Sequence, residues 1–236
     1  MLAVIIPAHN EAYLIGACIR SVIKAAQHPE LAGEEVAIIV VSDSCTDATG
    51  DIARSLGAWV IEVDHRNVGV ARATGASAAL SRHARWLAFS DADTTVAHDW
   101  LVQQLRCGTD AVCGVIGVTS WAGHSDAVRE NFIATYRDED GHRHIHGANL
   151  GVSASAYLSV GGFPPVTHNE DVALVEALMA AGATVAWSAK PRVRTSARLD
   201  ARAPRGFGAT LREIGQRLAS AATPEVGLPE TCMTEK

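Results

Sequence analysis

Apolar residues in this chain come in short unbroken runs, separated by longer stretches where they recur every three or four positions. Leu2–Ile6 is the first run and predicts a buried strand. Tyr13–Ala26 follows, with Leu14, Ile15, Cys18, Ile19, Val22 and Ile23 on one helical face. Val36–Val41 predicts a second strand, Thr46–Leu56 a helix, Ala58–Val63 a third strand, Val68–Ala84 an alanine-rich helix and Arg85–Ser90 a fourth strand. These strands are apolar throughout rather than at every second residue, and they alternate with helices. That is the pattern of βαβ units in a parallel sheet covered on both faces. Beyond residue 95 the pattern is less regular: Asp110–Val118 and Ala183–Ser188 read as strands, and Ser125–Tyr136, Asn169–Ala181 and Phe207–Ala222 as helices. Residues 223–236, with Pro224, Pro229 and scattered charge, predict a disordered tail. With no internal repeat and no long linker, the expected organisation is a single α/β domain over residues 1–222.

A chain of 236 residues suffices for one sizeable core. Its apolar share of 48% is ordinary, but only 5% is aromatic, and Ala, Val and Gly dominate, which predicts close packing of helix on sheet. A net charge of −6 argues against nucleic acid as a partner, because a phosphate backbone attracts a basic surface. The five cysteines, Cys18, Cys45, Cys107, Cys113 and Cys232, are odd in number and form no Cys-x-x-Cys pair. Neither a disulfide framework nor a structural zinc site is indicated, which fits a reducing cytoplasm. Leu2–Ile6 is broken at once by Pro7, His9, Asn10 and Glu11, so it reads as neither signal peptide nor anchor, and no run approaches the roughly 20 apolar residues that span a bilayer. A cytoplasmic protein is expected, peripheral to a membrane if its substrate lies there, and self-association is left open.

Polar side chains gather where the predicted strands end. Pro7-Ala8-His9-Asn10-Glu11 follows the first strand, Ser42-Asp43-Ser44-Cys45-Thr46-Asp47 the second, Asn67-Val68-Gly69 with Arg72 the third, and Asp91-Ala92-Asp93 the fourth. In open parallel sheets ligands bind beyond the carboxyl ends of the strands. Ser44 or Thr46 as a helix cap explains one such cluster, but capping does not explain all four. The Asp pair is the most telling: two carboxylates at i and i+2 suit a hard cation such as Mg²⁺ or Mn²⁺ bridging protein to diphosphate. Taken alone, Asp-x-Asp is common and also suits a solvated turn before a helix at Trp100.

Val4-Ile5-Ile6-Pro7-Ala8-His9-Asn10-Glu11, Val40-Val41-Ser42-Asp43-Ser44-Cys45-Thr46-Asp47, Asn67-Val68-Gly69-Val70-Ala71-Arg72, Asp91-Ala92-Asp93, Gly147-Ala148-Asn149 with Gly161-Gly162-Phe163, and Glu170-Asp171 together resemble the ordered motifs of family 2 glycosyltransferases. The resemblance runs from residue 2 to about 190. It implies the GT-A fold, a Rossmann-like, mostly parallel sheet flanked by helices, with a nucleotide-binding half (1–95), an acceptor and catalytic half (96–206) and a C-terminal helix (207–222). It implies that Pro7, Ala8, Asn10, Glu11 and Asp43 hold the nucleotide, and that Arg72 lies near base or diphosphate. Asp91 and Ala92 would meet the ribose, and Asp93, with Asp91, the metal. A cation there would neutralise the departing nucleoside diphosphate.

The resemblance further implies that Asp171, with Glu170 beside it, is the catalytic base; acidic residues in a first helical turn also simply suit the helix dipole. Gly147, Ala148, Asn149 and Glu170 would meet donor or acceptor sugar. His146 stands next to that glycine, and His144, His146 and His168 are the open choices for a third metal ligand or an acceptor contact. Arginines at 192, 194, 198, 202 and 205 read either as a loop closing on the diphosphate or as a solvated basic face. An anionic or lipid-linked hydroxyl acceptor would suit them.

The expected activity is metal-dependent transfer of a single sugar from a UDP- or GDP-sugar to a hydroxyl, with inversion. No Gln-x-x-Arg-Trp motif points to a processive synthase. The alternatives are a sugar-phosphate nucleotidyltransferase, whose glycine-rich amino-terminal loop is replaced here by Pro7–Glu11, and a non-catalytic sugar-nucleotide-binding module, which would have no need to keep Asp43, Asp91, Asp93 and Asp171. A dinucleotide oxidoreductase is disfavoured because no Gly-x-Gly-x-x-Gly follows the first strand.

Overall fold

The structure, a computed structural model, describes residues 1–121, 123–166, 168–199 and 207–222. These form two compact units, one of residues 1–120 and 137–197 and the other of 121–136 with the chain from 198 onward. The predicted tail 223–236, Arg202 and Arg205 lie outside the described residues.

In the larger unit the chain runs β1 (Leu2–Ala8), α1 (Ile15–Ala26), β2 (Val36–Asp43), α2 (Thr49–Ser55), β3 (Trp59–Val63), α3 (Val68–Ser81), β4 (Trp86–Phe89), β5 (Thr95–Val96), α4 (Trp100–Arg106) and β6 (Ala111–Val118). In the smaller unit lies α5 (Asp126–Thr135), after which β7 (Leu150–Ser153), α6 (Ala154–Ser159), α7 (Glu170–Ala180) and β8 (Val185–Thr195) return to the larger one. The last element, α8 (Phe207–Ala222), belongs to the smaller unit. Every element expected in the first ninety residues is present, with ends moved by at most three residues. β5, β7 and α6 were not anticipated.

One eight-stranded sheet carries the larger unit, in the order β3-β2-β1-β4-β7-β6-β8-β5. β1, β2, β3 and β4 pair in parallel, and β6 pairs in parallel with β8. β7 is antiparallel to both β4 and β6, and β5 to β8, so the sheet is mixed with a parallel majority. All seven residues of β1 are buried, as expected of a central strand with helices on both faces. α1 turns Ile15, Cys18, Ile19, Val22 and Ala25 inward, and α3 buries Ala71, Gly75, Ala76 and Ala79. Small residues let α3 lie close to the sheet: a Cβ on Gly75 would stand 2.5 Å from Ile5 Cγ2.

Two expectations need correction. Ser44 and Thr46 do not cap α2: Ser44 takes φ +52°, and the Thr46 N–H donates to Asn10 Oδ1 at 2.8 Å. The helix starts at Thr49, whose N–H is held by Asp47 Oδ1 at 3.0 Å. Nor does a loop begin at Lys190, since β8 continues through Pro191 to Thr195 and carries Arg192 and Arg194. Its pairing with β6 jumps from Gly114↔Ser188 to Val115↔Arg192, so Pro191 sits in a bulge where its missing N–H costs the ladder nothing.

In the smaller unit α5 is capped by Ser125 Oγ, which accepts the Val128 N–H at 3.4 Å. Val128, Leu211 and Ile214 are buried, and the Phe132 ring contacts Trp121, Tyr136 and Phe207.

Candidate active site

Because β1, β2, β3 and β4 run in parallel, their carboxyl ends share one edge of the sheet. β7 runs the other way, with Leu150 opposite Phe89, so the residues just before it, Gly147–Asn149, fall beside those just after β4. Topology thereby brings Asp91-Ala92-Asp93 and Gly147-Ala148-Asn149 together.

At the end of β2, Asp43 is buried and organises the loop into α3. Its Oδ1 accepts the N–H groups of His65 (2.7 Å) and Arg66 (2.8 Å) and the Ser44 hydroxyl (3.0 Å), while Oδ2 accepts the Asn67 N–H (2.8 Å). Burial would raise its pKa, but these donors outweigh it and hold the carboxyl below its usual range. Oδ2 keeps acceptor capacity for a ligand N–H. Asn67 in turn caps α3, accepting the Val70 N–H at 3.1 Å. Asn10 clasps the neighbouring loop: at φ +53° it accepts from Thr46 and donates its own N–H to Cys45 Sγ. Pro7, Ala8 and Glu11 are buried, and the Glu11 N–H donates to Thr49 Oγ1 at 2.8 Å.

Arg72 is the centre of the site. It projects from α3, is 4% exposed, and forks between two carboxylates: Nη2 donates to Asp91 Oδ1 at 2.5 Å, and Nη1 to Glu170 Oε1. The sequence did not anticipate these two carboxylate partners. Neighbouring glycines make the room, since a Cβ on Gly147 would fall on the guanidinium and one on Gly69 would stand 3.1 Å from Glu170 Cβ. Burial alone would lower the Arg72 pKa, but Asp91, Glu170 and Asp171 together raise it. Glu170 is pushed up by burial first and by Asp171 and Asp91, against the pull of Arg72. Next to it, Asp171 Oδ2 accepts the Gly147 N–H at 2.7 Å and is half-buried.

Two predicted residues serve the fold. Asn149 is wholly buried: its Oδ1 accepts from Trp100 Nε1 (2.8 Å), and its Nδ2 donates to the carbonyls of Val115 (2.7 Å) and Pro191 (2.9 Å). The amide is thereby tied to three elements distant in sequence. Ala148, 7% exposed, is likewise packed inside.

Asp93 accepts from Thr94 and Thr195, both at 3.4 Å. Thr195, at the end of β8, gave no local signal in the sequence, and neither did Cys18, whose Sγ donates to the Asp91 carbonyl at 3.3 Å. Burial, with Asp91, Asp93 and Glu11 nearby, pushes that thiol far up, so it stays protonated. Among the described residues no group of three or more His, Cys, Asp or Glu side chains stands together as a ligand set. The donor chemistry of the pair itself fits Mg²⁺ or Mn²⁺, because Asp91 and Asp93 are hard oxygen donors at i and i+2. A cation held by Asp91 and Asp93 would take its other ligands from diphosphate and water.

His146 abuts Gly147 and stacks on His144 (5.8 Å), which stacks on His142 (5.3 Å). Burial, and then the neighbouring His144, depress the His146 pKa to about 4, so the ring beside Asp171 is neutral near pH 7. His168 is exposed. Arg192 forks onto Asp138, both distances 2.9 Å, and so faces a carboxylate of its own chain.

No curated protein matches this chain at a significant level. Solved structures do. The mannosyltransferase PcManGT from Pyrobaculum calidifontis, in complex with GDP-Man and Mn2+, aligns with TM-score 0.64 at 19% identity over 97% of this chain and 66% of that one. S. aureus TarS 1-349 in complex with UDP-GlcNAc aligns with TM-score 0.62 at 14% identity over 93% of this chain and 65% of that one. A mycobacterial protein aligns with TM-score 0.59 at 19% identity, covering 93% and 74%. The chain thus spans slightly less than two thirds of PcManGT and of TarS 1-349, and shares the GT-A fold with them. A family model described as glycosyl transferase family 2 matches residues 3–157, more than half of the sequence and all four strand-end motifs of its first half, and the chain belongs to that family.

Proposed function

We propose that this protein transfers a single sugar from a UDP- or GDP-sugar to a hydroxyl acceptor, dependent on Mg²⁺ or Mn²⁺ and with inversion at the anomeric carbon, and that residues 1–222 act as one domain in doing so. One observation carries the reading. In a family 2 chain, Arg72 joins Asp91 on the Asp-x-Asp side to Glu170 on the side of the proposed base, so a donor seated at Asp91 would have Asp171 next to its sugar.

The nucleotide base would take the remaining acceptor capacity of Asp43 and the ribose a carboxylate oxygen of Asp91. Asp171 would accept the proton of the acceptor hydroxyl as that oxygen bonds to the anomeric carbon and the bond from carbon to diphosphate oxygen breaks on the opposite face. A divalent cation on Asp91 and Asp93 would stabilise the charge left on the nucleoside diphosphate. Glu170, buried against Arg72, acts as a positioning residue, and Gly147 fixes the Asp171 carboxylate through its N–H. PcManGT with GDP-Man and Mn2+ and TarS with UDP-GlcNAc support a nucleotide-sugar donor and, in the first case, a divalent ion. The acceptor is proposed only as hydroxyl-bearing, with an anionic or lipid-linked one in keeping with the arginines after residue 190.

Calorimetric titration with UDP and GDP, in Mn²⁺ and then in EDTA, tests the donor side. Metal-dependent binding of one nucleotide, lost in Asp93→Ala, is expected, and binding indifferent to both metal and Asp93 would remove the metal from the reaction. NMR assignment of the product anomer tests the stereochemistry, and retained configuration would refute Asp171 as base in a direct displacement.

A further inference from the structure

Apart from the strand-end loops, a second cleft of about 360 Å³ opens between α1 and the segment from Thr95 to His98. Neither Asp43, Arg72 nor Asp171 lines it. Its walls carry two cations, Arg20 and Lys24, together with the His98 imidazole and the Thr95 side chain, and no carboxylate. In a chain of net charge −6 that is an unusual wall.

Arg20 and Lys24 are both exposed, stand one helical turn apart, and make no ion pair among the described residues. Like charges at that spacing disfavour a helix. Elsewhere Arg54, Arg82, Arg85, Arg106 and Arg192 each hold a carboxylate. Lys24 has a local reason for its place, since a cation in the last turn of a helix complements the dipole, but Arg20 does not. The Arg20 guanidinium lies back along α1 against Gly16, where a Cβ would stand 3.3 Å from both Nη1 and Nη2. A buried glycine inside a helix weakens it, and the space it leaves here holds the guanidinium.

The same helix grips the segment that carries both site carboxylates. Cys18 Sγ donates to the Asp91 carbonyl, and the Val96 N–H donates to Ser21 Oγ at 3.0 Å. Ser21 lies between Arg20 and Lys24 on α1. A ligand drawing Arg20, Lys24 and Thr95 together therefore bears on the backbone from Asp91 to Val96.

We propose that this cleft binds a phosphate group, separately from any donor diphosphate. A carboxylate brings two oxygens and a single negative charge to two cations, whereas a phosphate brings more of both. A tetrahedral phosphate offers enough oxygens for the fork, the Lys24 ammonium, the His98 ring and the Thr95 hydroxyl, which would turn from the Arg194 carbonyl it meets at 3.5 Å. The phosphate could belong to an anionic lipid headgroup or to a soluble phosphorylated molecule. The inference does not depend on the transferase reading.

The test compares the full-length protein with Arg20→Gln/Lys24→Gln and with Arg82→Gln/Arg106→Gln, a control of equal charge change elsewhere on the surface. Inorganic phosphate is titrated at constant ionic strength by two-dimensional 1H–15N NMR, and binding to phosphatidylglycerol-containing and pure phosphatidylcholine vesicles is measured by sedimentation. Saturable shifts at the Thr95 and His98 amides, lost in the cleft variant and kept in the control, are expected. If the source is a headgroup, the anionic vesicles also sediment the wild type, and the cleft variant binds them roughly thirtyfold more weakly, the effect of two cations at an anionic surface. Phosphate shifts without vesicle binding assign a soluble phosphate. Absence of both, or losses equal in the two variants, would overturn the proposal.

Discussion

Replacing Arg72 by Met keeps most of the side-chain volume and removes the charge, which isolates what the guanidinium does. Glu170, with a side chain 5% exposed, would face Asp171 and Asp91 with no counter-ion. Asp91 matters less, because its side chain is 37% exposed and water screens it. Breaking a buried ion pair by removing one partner typically costs about 3–5 kcal/mol, and the screened share of Asp91 argues for the lower end, about 3 kcal/mol. For a chain of this size that is a fall in Tm of roughly 6–12 °C. The pH dependence follows from Glu170. Its folded-state pKa lies above the ordinary 4.5, so ionising it costs stability as pH rises through the folded value, and removing Arg72 raises that value further. The penalty should be full at neutral pH and shrink as pH falls, vanishing below 4.5, where Glu170 is protonated in folded and unfolded states alike. Arg72→Lys restores a charge without the planar fork and should fall between wild type and Arg72→Met. Urea unfolding at about pH 7 and about pH 5 reads these differences directly, with the acid arm set near the carboxylate range. A Met variant within about 1 kcal/mol of wild type at neutral pH, below the usual cost of a broken buried pair, would refute the reasoning. So would a penalty equal at both pH values.

Asp43→Asn should destabilise by about 1–3 kcal/mol, because the amide keeps one acceptor oxygen and its nitrogen faces either the Asn67 N–H or those of His65 and Arg66 without accepting. Since the Asp43 pKa is depressed, its stabilisation is present above 3.8 and fades as pH falls through the folded value, so the variant and wild type should converge in acid unfolding curves. Asn149→Ala strands Trp100 Nε1 and two buried carbonyls and should cost about 3 kcal/mol or more in denaturant unfolding. Asp171→Asn should lower turnover by about 10²–10⁴ while nucleotide affinity by calorimetry stays within a factor of two or so, as expected of a general base that meets only the acceptor.

The first half of the fold was readable because its strands are covered on both faces and its helices on one, so each element writes its own period into the chain. β7 was not readable, since Leu150-Gly151-Val152-Ser153 is four residues long. Its Gly151 is required by contact with Gln104 and Trp86, where a Cβ would stand 2.5 Å from Gln104 Oε1. Pro191 read as a breaker and is in fact housed by a bulge that only the pairing with β6 reveals. Among site residues the types and order were legible but the partners were not. Arg72 sat in the expected helix, yet its pairing with Glu170, 98 residues away, leaves no local trace. Asn149 was expected at the sugar from the family resemblance, and the three hydrogen bonds to distant elements that hold it inside the fold left no local trace. Thr195 stood at the end of a strand that had been ended too early.

The reversal of β7 has a consequence for how this protein comes into being. While the chain is synthesised, β1 to β4 can assemble with their loops from contacts near in sequence, and Arg72 is then present with Asp91 but without Glu170. The second carboxylate arrives only after β7 has slotted between β4 and β6, a pairing that closes a long loop and is therefore slow relative to the local contacts. An amino-terminal fragment would carry four strand ends with Arg72 paired to Asp91 alone, in place of a working centre. Completion of the Arg72 fork thus waits on a long-range step of folding, and a chain that stalls before it leaves the edge of β4, Trp86–Phe89, unpaired.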